Sequence, residues 1–590
     1  MKKIFLCCCL PFVVLLFLSL RMSTSDKIVS PREELAIGCA PSSVSGDIRP
    51  DAEGRYAPVF PGWGHYHYLI STSSDSAQYY FDQGLNLYYS YHLKESLASF
   101  KEAARRDSNC VMAYWGQALA MGPYYNDTYY YKMPLGVLPV LSRMRQLAER
   151  PSGGGSGRTG LVAGEGAGQL SDKEKDLVAA LGQKYSTDTT DSHRTDLNRA
   201  YSESMLQLVG KYPRDPDVKA LYIDGVMIEH AWDMWDTKGV AKPWTMQLVN
   251  YCNEILKASP YHPAALHFHI HLLEASFHPE ETVSSADRLK DLMPGVAHMV
   301  HMSSHSYQRT GLYEKGVFIN DSASAAQSQY SSIAPQLLLA SHVIHYSAVE
   351  AYCAMSGGMY VKAMQAADEC ERIAAANPAT PTGLYLQYLY MMPVFAQVRM
   401  GKWQAILERP VPDGRWRYAR CLSDFARGLA FVRTGKTEAA QACLDSLRDK
   451  LQGPVLAVRR PPNNAPIEGA SVAAGILEGE LLFARKKPDE AFAAFERAMI
   501  REDGMSYAEP TDWPLPVRHF SGAHLLQLDR AAEAEQLYRE ELVHNPGSGW
   551  SYLGLSKSLD AQHKNGADEY RAKARKVFAS ADRMPEASAY

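Results

Sequence analysis

The chain has almost no strand signal, no paired cysteines and no excess of charge. Three of its ten cysteines (Cys7, Cys8, Cys9) lie in an apolar run, and the other seven (Cys39, Cys110, Cys252, Cys353, Cys370, Cys421, Cys443) are scattered. None forms a C-x-x-C pair, which excludes a thiolate zinc ribbon and argues against a disulfide framework. Lys and Arg number 61 against 65 acidic residues, a formal net charge of -4 with no basic block. Nothing in that balance calls for nucleic acid or an anionic membrane as partner. There is no G-x-S-x-G elbow, no phosphate-cradling Gly-Lys-Ser/Thr and no H-E-x-x-H. After residue 20 no apolar run is long enough to span a bilayer.

What is present begins at the N-terminus. Lys2 and Lys3 precede the uncharged stretch FLCCCLPFVVLLFLSL, residues 5–20, followed by Arg21 and small polar residues. This reads as a secretory signal over 1–25, with an uncleaved signal anchor as the alternative. The expected location is therefore secreted or periplasmic, or membrane-tethered if the anchor is kept. Residues 26–75 are proline-rich and read as a tether and an irregular entry segment. From 76 to 590 the period is helical, interrupted by a Gly/Ser-rich loop at 151–169 and by RRPPNNAP from Arg459.

A small–small–large register recurs in the helical part. Gly84, Ser96, Phe100 and Ala103 occupy positions 8, 20, 24 and 27 of a unit of about 34 residues. Gly479, Ala491, Phe495 and Ala498 repeat it, as do Gly522, Ala534 and Tyr538, and Gly428, Ala440 and Leu444. Small residues belong where two helices touch, and a large one fills the space between them. The expected fold is all-α: a right-handed α-solenoid of degenerate tetratricopeptide-like (TPR-like) helix–turn–helix repeats. The segment YAEPTDWPLPVR, 507–518, reads as a link between two good repeats.

Ten of the nineteen histidines fall between His262 and His345, about a seventh of the chain. His267, His271 and Glu274 step by four and three; His298, His301 and His305 step by three and four. Those intervals place side chains on one helix face. In the repeat register His298, His301 and His305 take positions expected to point into the concave groove. Asn320 stands at position 24, where Phe100, Phe495 and Tyr538 stand elsewhere, and needs a partner once buried. His342 and His345 open the following repeat. Imidazoles with a carboxylate and no thiolate favour a catalytic or transport-type metal. The expected ligands are His267, His271, His301 and His305 first, then His298, His342 and His345, with Glu274 as ligand or general base. Zinc, copper and iron all suit such donors, and the interleaved Met299 and Met302 keep copper in view. Each histidine taken alone also reads as a hydrogen-bonded core or groove residue. His269 and His278 fall off the two stripes and are expected at the surface or in turns.

The ordered blocks FDQGLNLYYSYHLKESLASFKEAARRD, AYWGQALAMGPYYN, AWDMWDTKGVAKPW, HFHIHLLEASFHPEE, PGVAHMVHMSSHSYQRTGLY, YAEPTDWPLPVR and GSGWSYLGLSKSL cover most of residues 60–560. In them the chain resembles a family of bacterial exported TPR proteins of undefined biochemical role. Two positions depart from that pattern: Tyr124 where Asn is usual, and His519 where an acidic residue is usual. The resemblance implies the solenoid fold and carries no catalytic residue over.

The sequence thus points to an exported TPR-like protein with a histidine-rich metal site on its inner wall, acting as an oxidoreductase or a hydrolase. The alternative is a non-enzymatic scaffold that binds a peptide or protein in its groove. A third reading is a copper or zinc buffer.

Overall fold

The computed structural model describes residues 48–150, 170–339, 343–377 and 379–590. The signal segment, the first part of the tether, the Gly-rich loop 151–169 and His342 lie outside the described residues. Among the described residues there are twenty-five α-helices, three short 3-10 turns and a single isolated bridge, between Trp235 and Ala241. None of these helices is long and apolar enough to cross a membrane.

Consecutive helices pair through short turns, as in Asp75–Tyr89 with Leu93–Arg106, Ala297–Arg309 with Tyr313–Ile333, and Pro466–Ala484 with Pro488–Asp503. The register read from sequence is the contact that closes these pairs. A Cβ on Gly84 would lie 2.8 Å from the Phe100 ring, one on Gly479 2.5 Å from Phe495, and one on Gly522 2.6 Å from Tyr538. Each is closer than carbon atoms approach, so the large residue sits directly on the glycine of its partner helix. Gly428 differs: it meets Leu477 of the next pair, at 2.5 Å, rather than Leu444. The all-α, TPR-like solenoid follows from these pairs.

Local chemistry sets the helix starts near the histidines. Pro263 opens Pro263–Leu273, and the Nδ1 of His262 accepts from the Ala265 amide (3.3 Å), a cap made by a belt histidine. Val296 gives Ala297–Arg309 no side-chain cap. One of its free amides, that of His298, donates instead to Nε2 of His92, 206 residues away (3.2 Å). His92 therefore folds back onto the belt.

Two irregular segments cover the middle of the array. Residues near Pro61 and Gly62 lie against Gly295, whose amide donates to the Gly62 carbonyl (3.0 Å). The contact is so close that a Cβ on Gly295 would stand 1.9 Å from the Pro61 oxygen. The proline-rich stretch around residues 507–516 does more than link two repeats. Tyr388 donates to the Thr511 carbonyl (2.8 Å), Trp513 packs edge-on to Phe395 and Phe425, and Glu509 reaches the histidines.

Candidate metal centre

Helices Pro263–Leu273, Ala297–Arg309 and Ile344–Ser356 bring six histidines together in two sets of three. His267, His271 and His298 form one, and His301, His305 and His345 the other. Within each set one nitrogen per ring lies within 4.8 Å of the other two, and all six side chains are buried. The four histidines expected as one set are thus divided between two centres. Ala297–Arg309 serves both: its first turn, with His298, faces Pro263–Leu273, and its next two turns face Ile344–Ser356. The sets adjoin, with the His298 and His301 rings 6.2 Å apart.

The hydrogen bonds assign the tautomers. The Nδ1–H of His267 donates to the Tyr89 carbonyl (2.7 Å), that of His271 to Glu274 Oε1 (2.8 Å), and that of His301 to Asn320 Oδ1 (2.6 Å). Asn320 is fixed in turn by donating to the Gly316 carbonyl (2.8 Å), so its amide oxygen must face His301. The polar residue at the aromatic position of its repeat has the partner it needs. Each of these rings then presents an unprotonated Nε2. Those of His271 and His301, like the Nε2 of His345, are buried without a hydrogen-bond partner in the protein. The Nε2 atoms of His267 and His298 are 3.2 Å apart. Two nitrogens bound to one tetrahedral ion at ~2.0–2.1 Å would be separated by roughly 3.3 Å.

Electrostatics agree with neutral rings. Burial depresses His271 to about 4 and His301 to about 3. Burial, reinforced by neighbouring imidazoles, holds His267, His298, His305 and His345 well below the ordinary histidine value. The lone pairs are therefore available at neutral pH. The His271–Glu274 contact is a hydrogen bond rather than an ion pair, because burial keeps the His271 ring neutral; burial also lifts the Glu274 carboxyl to about 7.

Glu509 is a site residue that sequence reasoning missed. It is buried, its Oε2 is 3.2 Å from Nε2 of His305, and it forms a third close group with His271 and Glu274. Burial and the adjacent Glu274 push it well above the carboxylate range. Over 200 residues separate it from both helices, so no spacing rule links them. Tyr91 was missed as well. It sits in the left-handed region (φ 56) in the turn after Asp75–Tyr89, and its ring lies 4.6 Å from His267, 5.9 Å from His271 and 5.6 Å from His298. A bulky residue held there reflects tertiary constraint.

Two expectations are corrected. The histidines do not face an open groove, because the chain's own 507–516 stretch and Tyr91 close over them. His269 is buried, with its Nδ1 3.0 Å from Ser285 Oγ, since it points to the neighbouring helix Val283–Leu292. His278 is exposed beside Glu280, as expected of a turn residue. His67 pairs with Asp82 at 2.7 Å, and His519 with Ser551 and Arg399, away from the clusters. Tyr124, which stands where Asn is usual in the resembled pattern, packs on Tyr91 (5.2 Å).

No family model matches the chain, and no curated protein does. Among solved structures, human IFIT1 with m7Gppp-AAAA is similar over 87% of this chain and 92% of its own, at 12% identity and a TM-score of 0.29. Yeast Tom70 is similar over 86% of this chain and 92% of its own, at 10% identity and 0.27. The Cut9–Hcn1 hetero-tetramer of APC/C is similar over 85% and 73%, at 13% identity and 0.25. TM-scores this low carry no argument about what this chain does, and its TPR-like fold rests on its own helix pairs.

Proposed function

We propose that this chain is an exported TPR-like protein that holds two transition-metal ions, one in each three-histidine set, and uses them in an oxidoreductase or hydrolase reaction. One observation carries the reading. Six imidazoles converge in threes, the Nε2 atoms of His271, His301 and His345 are buried without a hydrogen-bond partner, and the opposite ring nitrogens of His267, His271 and His301 are anchored by a carbonyl, a carboxyl and an amide. Buried polar atoms ordinarily have partners. Ligating histidines ordinarily donate their other N–H to such acceptors. His267, His271 and His298 would hold one ion, and His301, His305 and His345 the other. Neutral nitrogen donors suit zinc, copper or iron. When bound, such an ion supplies a Lewis acid or redox centre, and three protein ligands leave it a further position. Glu274 and Glu509 stand beside the two sets, placed to act as additional ligands or proton acceptors. The basic pair and apolar run at the N-terminus support export.

Elemental analysis of the purified protein tests this. Two ions per chain are expected. The double substitution His301→Ala/His305→Ala should remove one and leave the other, and His267→Ala/His298→Ala the reverse. Substoichiometric metal that neither pair of substitutions changes would overturn the reading. Reversible metal loss without any turnover would favour a buffer instead. A peptide groove over these residues is disfavoured by the chain's own cover.

A further inference from the structure

The stretch that follows the helix Ala567–Val577 doubles back over the later repeats. Residues 581–590 form no helix. The Asp582 amide donates to the Gly358 carbonyl (3.2 Å), and its carboxylate accepts from the Val361 amide (2.8 Å). Ser588 is buried; its Oγ accepts from the Tyr538 hydroxyl (2.6 Å) and donates to the His519 carbonyl (2.9 Å). The Tyr590 ring lies edge-on to Trp550 (6.4 Å).

Cationic side chains hold this strap by its main chain. Lys557 donates to the Glu586 carbonyl, Nη1 of Arg399 to the Ser588 carbonyl (3.5 Å), and Nε of Arg433 to the main-chain oxygen of Tyr590 (2.8 Å). The three cations come from Gly549–Ala561, Met392–Arg399 and Arg417–Arg433, each the first helix of its pair, and they meet oxygens two residues apart. Main-chain contacts do not depend on the strap's own side chains, so the wall can offer them to another segment.

Two of the cations are poorly matched by it. Arg399 is buried, and besides Ser588 its guanidinium reaches only neutral groups: His519 Nδ1 (3.1 Å), the Pro514 carbonyl (3.1 Å) and the Trp550 ring (4.9 Å). It forms no ion pair among the described residues; Glu502 and Glu541 act on it only from a distance, and burial lowers it to about 10. A buried charge without a counter-charge is costly, and a carbonyl at 3.5 Å offsets little of that cost. Lys557 is exposed and likewise forms no ion pair among the described residues. Arg433 is paired, with Glu480. Nor does the strap fill the wall: a cavity of about 380 Å3 lies beside Ala589 and Tyr590, lined also by Arg433, Phe520 and His524.

We propose that this wall is the docking site of an acidic peptide segment of a partner protein, and that residues 582–590 are its built-in occupant, displaced when the partner binds. Carboxylates of the partner take the place of the carbonyls on Arg399 and Lys557 and turn neutral contacts into charge-assisted ones. The strap competes as an intramolecular ligand at high effective concentration, so it sets a threshold that only a better-charged segment passes. The site stands apart from both histidine sets and does not depend on whether they hold ions.

Fluorescence anisotropy of the full chain with a labelled octapeptide of alternating Glu and Ala, and with its Gln counterpart, tests it, beside hydrogen exchange of the strap amides. Saturable binding of the acidic peptide is expected, about tenfold tighter than the neutral one, with faster exchange over 583–590 in the complex. Ser588→Ala removes the bonds to Tyr538 and His519, loosens the strap and should tighten the acidic peptide about tenfold. Lys557→Gln, at an exposed position, should cut the preference for the acidic over the neutral peptide about threefold, and Arg399→Gln about tenfold. The Lys557 variant and the comparison of the two peptides decide the matter whether or not Arg399→Gln folds. No saturable binding of the acidic peptide to Ser588→Ala, equal affinity for the two peptides, or binding that leaves exchange over 583–590 unchanged would each overturn the proposal.

Discussion

Asn320→Leu separates a metal-tuning role from a structural one. Asn320 is buried at a repeat position that elsewhere holds Phe100, Phe495 or Tyr538, so an apolar side chain suits the register there. Its one tertiary duty is to accept from His301 Nδ1 at 2.6 Å. Removing the acceptor leaves that N–H buried and unpaired, at a cost of about 1–3 kcal/mol. A buried Leu contributes about 1.5–3 kcal/mol in the opposite sense. The metal-free protein should therefore keep its stability to within about 1 kcal/mol. The metal-loaded protein should not behave so. With its Nδ1–H unanchored, His301 loses both tautomer and orientation, and affinity at the second set should fall about 10–100-fold. That corresponds to about 1.4–2.7 kcal/mol less stabilisation of the loaded form. The assay is chelator competition on wild type and variant, beside denaturant unfolding of both in the stripped state. Unchanged affinity at the second set, with stripped stability also unchanged, would refute the assignment of Asn320 as an anchor of a ligating ring. A fall in stripped stability of several kcal/mol would show that the residue acts in packing instead.

Other positions give independent checks. Lys184 is fully buried, its Nζ has no hydrogen-bond partner, and burial lowers it to about 8 against 10.5 in the open chain. A depressed lysine makes folding costlier wherever the unfolded chain is protonated and the folded one resists it. Wild-type stability should therefore rise between pH 8 and 10.5, by on the order of 3 kcal/mol, relative to Lys184→Met, which lacks this contribution; parallel stability curves would contradict it. Phe100→Ala empties the space over Gly84 and Gly116 and should cost about 3–5 kcal/mol, read as a shifted denaturant midpoint. Gly295→Ala places a Cβ 1.9 Å from the Pro61 oxygen and should release the segment around Pro61–Gly62, seen as new protease cleavage there while the repeat core remains resistant.

The helices were legible because apolar residues recur at 3.6 spacing and because Gly84, Gly479 and Gly522 stand sixteen residues before a large ring. That interval brings the middle of one helix against the middle of the next whatever surrounds the pair. The histidine set was legible for the same local reason: spacing of three and four puts rings on one face. How the rings divide was not. His298 is only three residues from His301, yet it joins His267 and His271, because the turn of Ala297–Arg309 that carries it faces a different neighbour. Spacing describes one helix face and says nothing of which partner helix crosses which turn.

By itself, then, the sequence determined the repeat pairing, the histidine-bearing helices and the need of Asn320 for a buried partner, since each follows from neighbours within about two turns or one helix–turn–helix unit. Tertiary structure alone decided that the rings form two centres rather than one, that Glu509 and Tyr91 close over them, and that residues 582–590 fold back over the later repeats. Those contacts join segments up to more than 200 residues apart. Their geometry is set by how the whole array coils and by what its irregular segments cover, and local periodicity encodes neither.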